Sequence, residues 1–200
     1  MSAVFSVSPV GLVRAGGVVS AGTDFSLSGR FYVSAVPANP PLYNTIIYRG
    51  DDPVALYAQY VWIGTLLDGA LYLSLPGTPD VAAGVLSLGW HSLVYTYNQA
   101  TTTHRVYVDS SYTPQIVHVQ NINAWSFTHE YIGTDTYADW QPGKAAYLRE
   151  WNVVLSDEEA NREPVSPTIV RTSNVWLNTP LASNLLDISG NNRHWSPYCG

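Results

Sequence analysis

Apolar and polar residues alternate with a period of two along most of the chain, and a helical period is nearly absent, which predicts half-buried strands. The stretch from Phe25 to Val33 is the clearest instance. Phe25, Leu27, Phe31 and Val33 point one way; Ser26, Ser28, Arg30 and Tyr32 point the other. Gly29 falls on the apolar side, where a missing side chain admits a neighbour closely or marks a bulge. The same reading predicts strands over 46–49, 56–63, 70–75, 92–97, 105–109, 116–119, 131–133 and 146–152. Turn residues separate them: Pro37-Ala38-Asn39-Pro40-Pro41, Gly50-Asp51-Asp52-Pro53, Pro76-Gly77-Thr78-Pro79 and Gln141-Pro142-Gly143. Asp68-Gly69 between two apolar runs predicts a two-residue hairpin. Many short strands joined by turns imply a sandwich or barrel, not a parallel α/β sheet. One short helix is expected near 157–163. Ser156 and Glu159 form a capping box, acidic residues occupy its first turn, and Pro164 stops it.

The 200 residues suit one larger all-β domain. The reading is a single domain over 1–200, with a core of about 4–163. Pro164–Pro167 is the one plausible hinge, and the extension 164–200 closes the sandwich or contacts a neighbour. A chain of this size buries enough surface to fold without staples, and its single cysteine, Cys199, cannot form an internal bridge. Charged residues make up 12% of the chain, with a net charge of −6 and a single lysine, Lys144. No basic cluster exists to neutralise phosphates, so nucleic acid is excluded as a partner. The start of the chain lacks the pattern of a signal peptide. No apolar run is long enough to span a membrane.

Three segments carry a family resemblance. Gly89-Trp90-His91-Ser92-Leu93-Val94-Tyr95-Thr96-Tyr97 resembles a Trp-His strand opening, and Arg105-Val106-Tyr107-Val108-Asp109 a following strand and turn. Ile132-Gly133 followed by 146–159 resembles a final strand and its "LSxxE" helix. In order and spacing the chain is similar to the laminin-G-like branch of the concanavalin A-like lectin and glucanase superfamily, in its non-catalytic, phage-type form. The resemblance implies an all-β fold, a two-sheet antiparallel jelly-roll sandwich. Two departures stand out. Ser110 takes the place of the usual glycine after the "YVD" turn. The Trp176-Leu177 and 186–192 segments resemble an element that commonly opens such modules, yet here lie at the end.

Related glucanases carry a Glu-x-Asp-x-x-Glu strand whose carboxylates flank a glycosidic bond. That motif is absent, and Glu130 and Glu150 read as isolated, so a glycoside hydrolase is a remote alternative. The histidines show no metal-ligand spacing, and no nucleophile elbow or phosphate loop is present. His91 reads as packed or edge-exposed, and Trp62, Trp90 and Trp151 read as core. The loop 133–143 offers more. Asp135 and Asp139 with backbone oxygens form a candidate calcium site, against the alternative of a solvated loop with Asx-turns. Tyr137 and Trp140 are candidates to stack on a sugar ring. Trp125 is another such candidate, with Asn121 and Asn123 adding amides to bond sugar hydroxyls, the alternative being a tryptophan packed under its own loop.

The function expected from these features is non-enzymatic. An extracellular-type fold without signal or disulfides points to a phage virion protein, a capsid decoration or tail-associated domain docked on other virion proteins in an oligomeric assembly. The alternative is a carbohydrate-binding or adhesion module for cell-surface glycans, calcium-assisted or cofactor-free. The corresponding locations are the virion surface and the extracellular space.

Overall fold

The computed structural model describes residues 11–15, 23–33, 43–50, 59–66, 68–133, 145–180 and 188–198. Among them lie thirteen strands: β1 (Gly11–Ala15), β2 (Phe25–Val33), β3 (Tyr43–Gly50), β4 (Tyr60–Leu66), β5 (Ala70–Ser74), β6 (Val81–Val85), β7 (Gly89–Asn98), β8 (Thr103–Val108), β9 (Ile116–Val119), β10 (His129–Ile132), β11 (Ala145–Trp151), β12 (Val175–Thr179) and β13 (Ser196–Tyr198). They form two antiparallel sheets, one of seven strands in the order β13-β1-β10-β3-β4-β5-β6 and one of six in the order β12-β11-β2-β7-β8-β9. Helix α1 (Asp157–Arg162) and a 3-10 turn (Glu163–Val165) follow β11.

Side-chain alternation explains the packing. Phe25, Leu27, Phe31 and Val33 of β2 meet Leu93, Tyr95 and Tyr97 of β7 and, from the facing sheet, Ile47, Val61, Ile63, Leu71 and Leu73 in one core. Gly29 admits a neighbour as its position predicts. A Cβ there would stand 2.7 Å from the Phe31 ring and 2.8 Å from Leu148 Cδ2. Gly29→Ala is therefore expected to cost about 1–3 kcal/mol through overpacking, read from urea unfolding.

The outer face of the six-stranded sheet is largely covered by the segment that follows β11. Val94, Tyr107 and Trp151 pack under Leu155 and Ala160. Ser156 accepts from the Glu159 amide, and Glu159 accepts in return from the Ser156 amide, so the capping box is formed. Arg149, buried on this face, donates to the Glu163 carboxylate at 2.5 Å and to the carbonyls of Glu163, Ser166 and Pro167.

The structure departs from the sequence reading at several points. The hairpin after β4 runs from Leu66 to Ala70, and Gly69 at φ +75° donates to the Leu66 carbonyl at 2.9 Å. It is a three-residue loop closed by a left-handed glycine. Asp109 and Ser110 both adopt positive φ, +52° and +57°, so Ser110 takes the conformation a glycine favours and the tight turn survives. β1, β6 and β13 were not anticipated. Beyond the proposed hinge, β12 and β13 each extend one sheet, and Leu177 and Trp195 lie in the core.

Candidate functional site

Two polar centres of opposite character stand out, one sealed and one open. The sealed centre joins the two sheets. Arg14, Glu130 and Arg49 are direct cross-strand neighbours on β1, β10 and β3, an alternating row of charge on the inner face. Glu150 of β11 reaches across from the other sheet. Arg14 Nη2 donates to both carboxylates. Arg49 Nε donates to Glu130 at 2.8 Å, and its Nη2 stands 2.9 Å from Glu150. All four side chains are buried. The guanidinium of Arg49 also lies over the Phe25 ring and that of Arg14 over Trp195.

Glu130 and Glu150 are thus not isolated, as their sequence positions suggested. Burial disfavours both charges, but their surroundings divide them. Against burial, Arg49 and Arg14 hold the Glu130 carboxyl down at about 2. Burial, with the Glu130 carboxylate beside it, pushes Glu150 up to about 7 in spite of Arg14 and Arg49. This pair is walled in by both sheets and committed to arginines, so it cannot flank a glycosidic bond.

The buried histidines are structural. His104 donates from Nε2 to the Gln120 carbonyl and accepts at Nδ1 from the Tyr95 hydroxyl, and burial lowers it to about 4, so it is neutral. His91 lies 2.8 Å from Asp109 through Nδ1 and 2.8 Å from the Ser87 carbonyl through Nε2. The Ser87 hydroxyl is 3.4 Å from the same Nε2. Because that nitrogen faces a carbonyl, it donates a proton and cannot take one from the serine. The contact ties the loop before β7 to the turn after β8.

The open centre lies at one end of the six-stranded sheet, on its outer face, beyond the covering segment. Arg30 and Tyr32 alternate outward on β2, and Trp90 lies opposite Tyr32 on β7. All three are half-buried. The Tyr32 and Trp90 rings meet edge to face with centroids 5.6 Å apart, and the Arg30 guanidinium sits 5.4 Å over the Trp90 ring. Among the described residues no carboxylate forms an ion pair with Arg30. Tyr147 stands at a bulge of the neighbouring β11 with φ +55° and carries the Arg149 guanidinium over its ring. A bulky residue in the left-handed region is unusual, and such backbone gathers at ligand sites.

Trp90 is therefore not core, as first read; Trp151 is fully buried, and Trp62 is buried in an aromatic cluster with Tyr48 and Tyr131. Of the candidate sugar contacts, Asn123 accepts from the Tyr97 hydroxyl at 2.7 Å. Trp125 is half-buried against Phe127 and the core. Both lie in the connection before β10. Asp135, Tyr137, Asp139 and Trp140 lie outside the described residues. The loop that holds them leaves after Ile132 and returns at Ala145, which pairs with Phe31, beside Arg30 and Tyr32. It thus springs from the end of the sandwich opposite Trp125. Among the described residues no group of three or more His, Cys, Asp or Glu stands together as metal ligands, and no helix is long and apolar enough to cross a membrane.

Solved structures share this architecture. A protein from Bacteroides ovatus, whose carbohydrate binding is itself only a proposal, matches with a TM-score of 0.67 and 15% identity over 94% of this chain and 57% of its own. The CBM40 module of a Ruminococcus gnavus IT-sialidase matches with a TM-score of 0.59 and 10% identity over 80% and 95%. The heptameric SAP-like pentraxin of Limulus polyphemus matches with a TM-score of 0.58 and 13% identity over 100% and 94%.

The fold is a two-sheet antiparallel jelly roll.

Trypanosoma rangeli sialidase contains a similar jelly roll, but the chain spans only 22% of its length, at 15% identity and a TM-score of 0.55. No family model matches the sequence, and no curated protein does. At these identities the likeness shows the jelly roll and leaves its ligand to the residues above.

Proposed function

We propose that this jelly roll is a carbohydrate-binding module, and that Trp90, flanked by Tyr32 and Arg30, is the platform on which a sugar ring lies. One observation carries the reading: a half-exposed tryptophan on an outer sheet face, with a guanidinium beside it that no described carboxylate neutralises. An indole offers an apolar face to the C–H side of a sugar, and arginine offers five donors to its hydroxyls. The fold agrees, since the matched modules include one named as a carbohydrate-binding module. In this reading Tyr137 and Trp140 extend the platform from the loop between Gly133 and Ala145, and Asp135 and Asp139 bond hydroxyls or hold a calcium ion that orders it. Asn123 and Trp125 belong to the other end and take no part. A docking role on a virion, first suggested by an extracellular-type fold without signal or disulfides, draws no support from the matched structures. A glycan target places the domain at an extracellular or virion surface.

The test is a glycan array followed by calorimetry on the best ligand. Trp90→Ala is expected to weaken binding about tenfold or more, which is about 1.4 kcal/mol, while unfolding stays close to that of the parent because the ring faces outward. Arg30→Met should weaken it less. Binding unchanged by both substitutions would remove the platform from the site, and silence across the array would defeat the module reading itself.

A further inference from the structure

The two edges of the six-stranded sheet are treated differently. At the β12 edge the chain covers its own strand: the Ile188 amide donates to the Asn178 carbonyl, the Asn191 amide group to Val175 and Trp176, and Arg193 to Trp176. At the other edge β9 pairs only with β8 among the described residues. The Gln120 amide bonds to the Thr102 carbonyl, so the ladder's alternation turns residues 116, 118 and 120 toward β8. The amides and carbonyls of Val117 and Val119 then point away from the sheet.

Proteins blunt such edges with charge, proline or bulges. Within Ile116–Val119 none of these intervenes; Pro114 and the Gln115 amide, which bonds the Val106 carbonyl, lie before the strand. From Ser110 to Thr128, and again from Val81 to His104, the sequence holds no Asp, Glu, Lys or Arg. Instead the side is apolar: Val117 is 56% exposed, Val119 65%, Val85 68%, Leu88 63% and Tyr112 64%. β6 packs beside β9. A pocket of about 320 Å³, lined by Val85, Leu86, Val108 and Gln115 and, at its polar side, by His91 and Asp109, joins β6 to the turn between β8 and β9.

We propose that β9 pairs antiparallel with β9 of a second copy about a two-fold axis at His118, merging two six-stranded sheets into one of twelve. A strand is self-complementary about such an axis. With residues 117 and 119 bonding outward, the register sets Val117 against Val119 of the second copy and His118 against itself. Four valines then cluster on one face. The charge distribution selects this occupant. With a net charge of −6, two copies repel one another over most approaches. The 81–104 and 110–128 stretches let them meet without opposing like charges, and they offer no charge by which an unlike partner would be chosen. A stable interface buries about 1,200–2,000 Å², more than a four-residue strand provides, so the paired surface must also include Val85 of β6, which packs beside β9.

Sedimentation velocity over a concentration series tests this on the full chain. The parent is expected to dimerise, and Val119→Lys to weaken the dimer at least tenfold with an unchanged circular dichroism spectrum and melting point. A second variant reads the register: His118→Cys, in a Cys199→Ser background, should cross-link to a covalent dimer on oxidation, because a non-hydrogen-bonded antiparallel pair lies within disulfide reach. A parent that stays monomeric at every concentration overturns the proposal. So does a dimer indifferent to Val119→Lys, or one in which His118→Cys fails to cross-link.

Discussion

Replacing Arg49 with methionine is expected to destabilise the protein by about 3–5 kcal/mol, because it leaves carboxylate charge uncompensated between the sheets. Glu130 would lose its 2.8 Å bond from Arg49 Nε and Glu150 its contact with Nη2. Above pH 7, where Glu150 is charged as well as Glu130, Arg14, which donates to both, cannot neutralise two anions alone. Replacing all four members together with methionine and leucine should be neutral, or stabilising by about 1–4 kcal/mol, because the desolvation of four ions disappears with them. The contrast between the single and quadruple variants, measured by urea unfolding, separates a charge effect from a packing effect.

The same centre makes stability depend on pH in two opposed ways. Glu130 is held below its ordinary value of 4.5, so its contribution is present above that value and is lost as pH falls toward about 2. Glu150 is held above 4.5, so between 4.5 and about 7 the folded state binds the extra proton and stability declines as pH rises. The pair's contribution therefore peaks near 4.5. Glu150→Gln should abolish the decline between 4.5 and 7. A parent and variant with parallel stability curves across that window would contradict the assignment.

Arg149→Met is expected to have a comparable effect, about 3–5 kcal/mol, by a different route. Its guanidinium bonds the Glu163 carboxylate and three carbonyls of the segment that covers the six-stranded sheet. Glu163 also accepts from the Val170 amide at 2.7 Å, and Trp151 donates to the Arg171 carbonyl. Without Arg149 the buried Glu163 charge loses its counterion and the segment its principal tie. Burial already raises Glu163 against the pull of Arg149. The destabilisation should therefore shrink as pH falls through the carboxylate range and Glu163 takes up a proton. Hydrogen exchange should show residues 153–173 opening before the sheets.

Much of the sandwich is legible in the sequence because alternation reports burial directly. The phase of β2 places every one of its apolar residues on the side the core occupies. Applied consistently, the same rule locates Trp90: if Leu93, Tyr95 and Tyr97 face inward, position 90 faces outward. Tryptophan's bulk suggested core, and phase was the better guide. Other elements gave no usable signal. β6 is Val-Ala-Ala-Gly-Val, with too little side chain to alternate. β1 carries an arginine on its inner face, which breaks the apolar pattern at the position where the buried centre needs a charge. Glu130 and Glu150 looked unpaired because their partners lie far off in the chain, Arg14 being 116 and 136 residues away. Pairing at that distance is a property of topology, which local periodicity does not encode.

The position of β1 has a consequence for how the molecule is made. It lies between β10 and β13, so both of its neighbours are synthesised long after it. While the chain leaves the ribosome, residues 11–15 have no strand to join until residues 129–132 emerge, and Arg14 waits as long for Glu130. Trp195, over which Arg14 finally rests, comes later still. Closure of the seven-stranded sheet is thus a late, long-range event. Contacts of this span are slow to form.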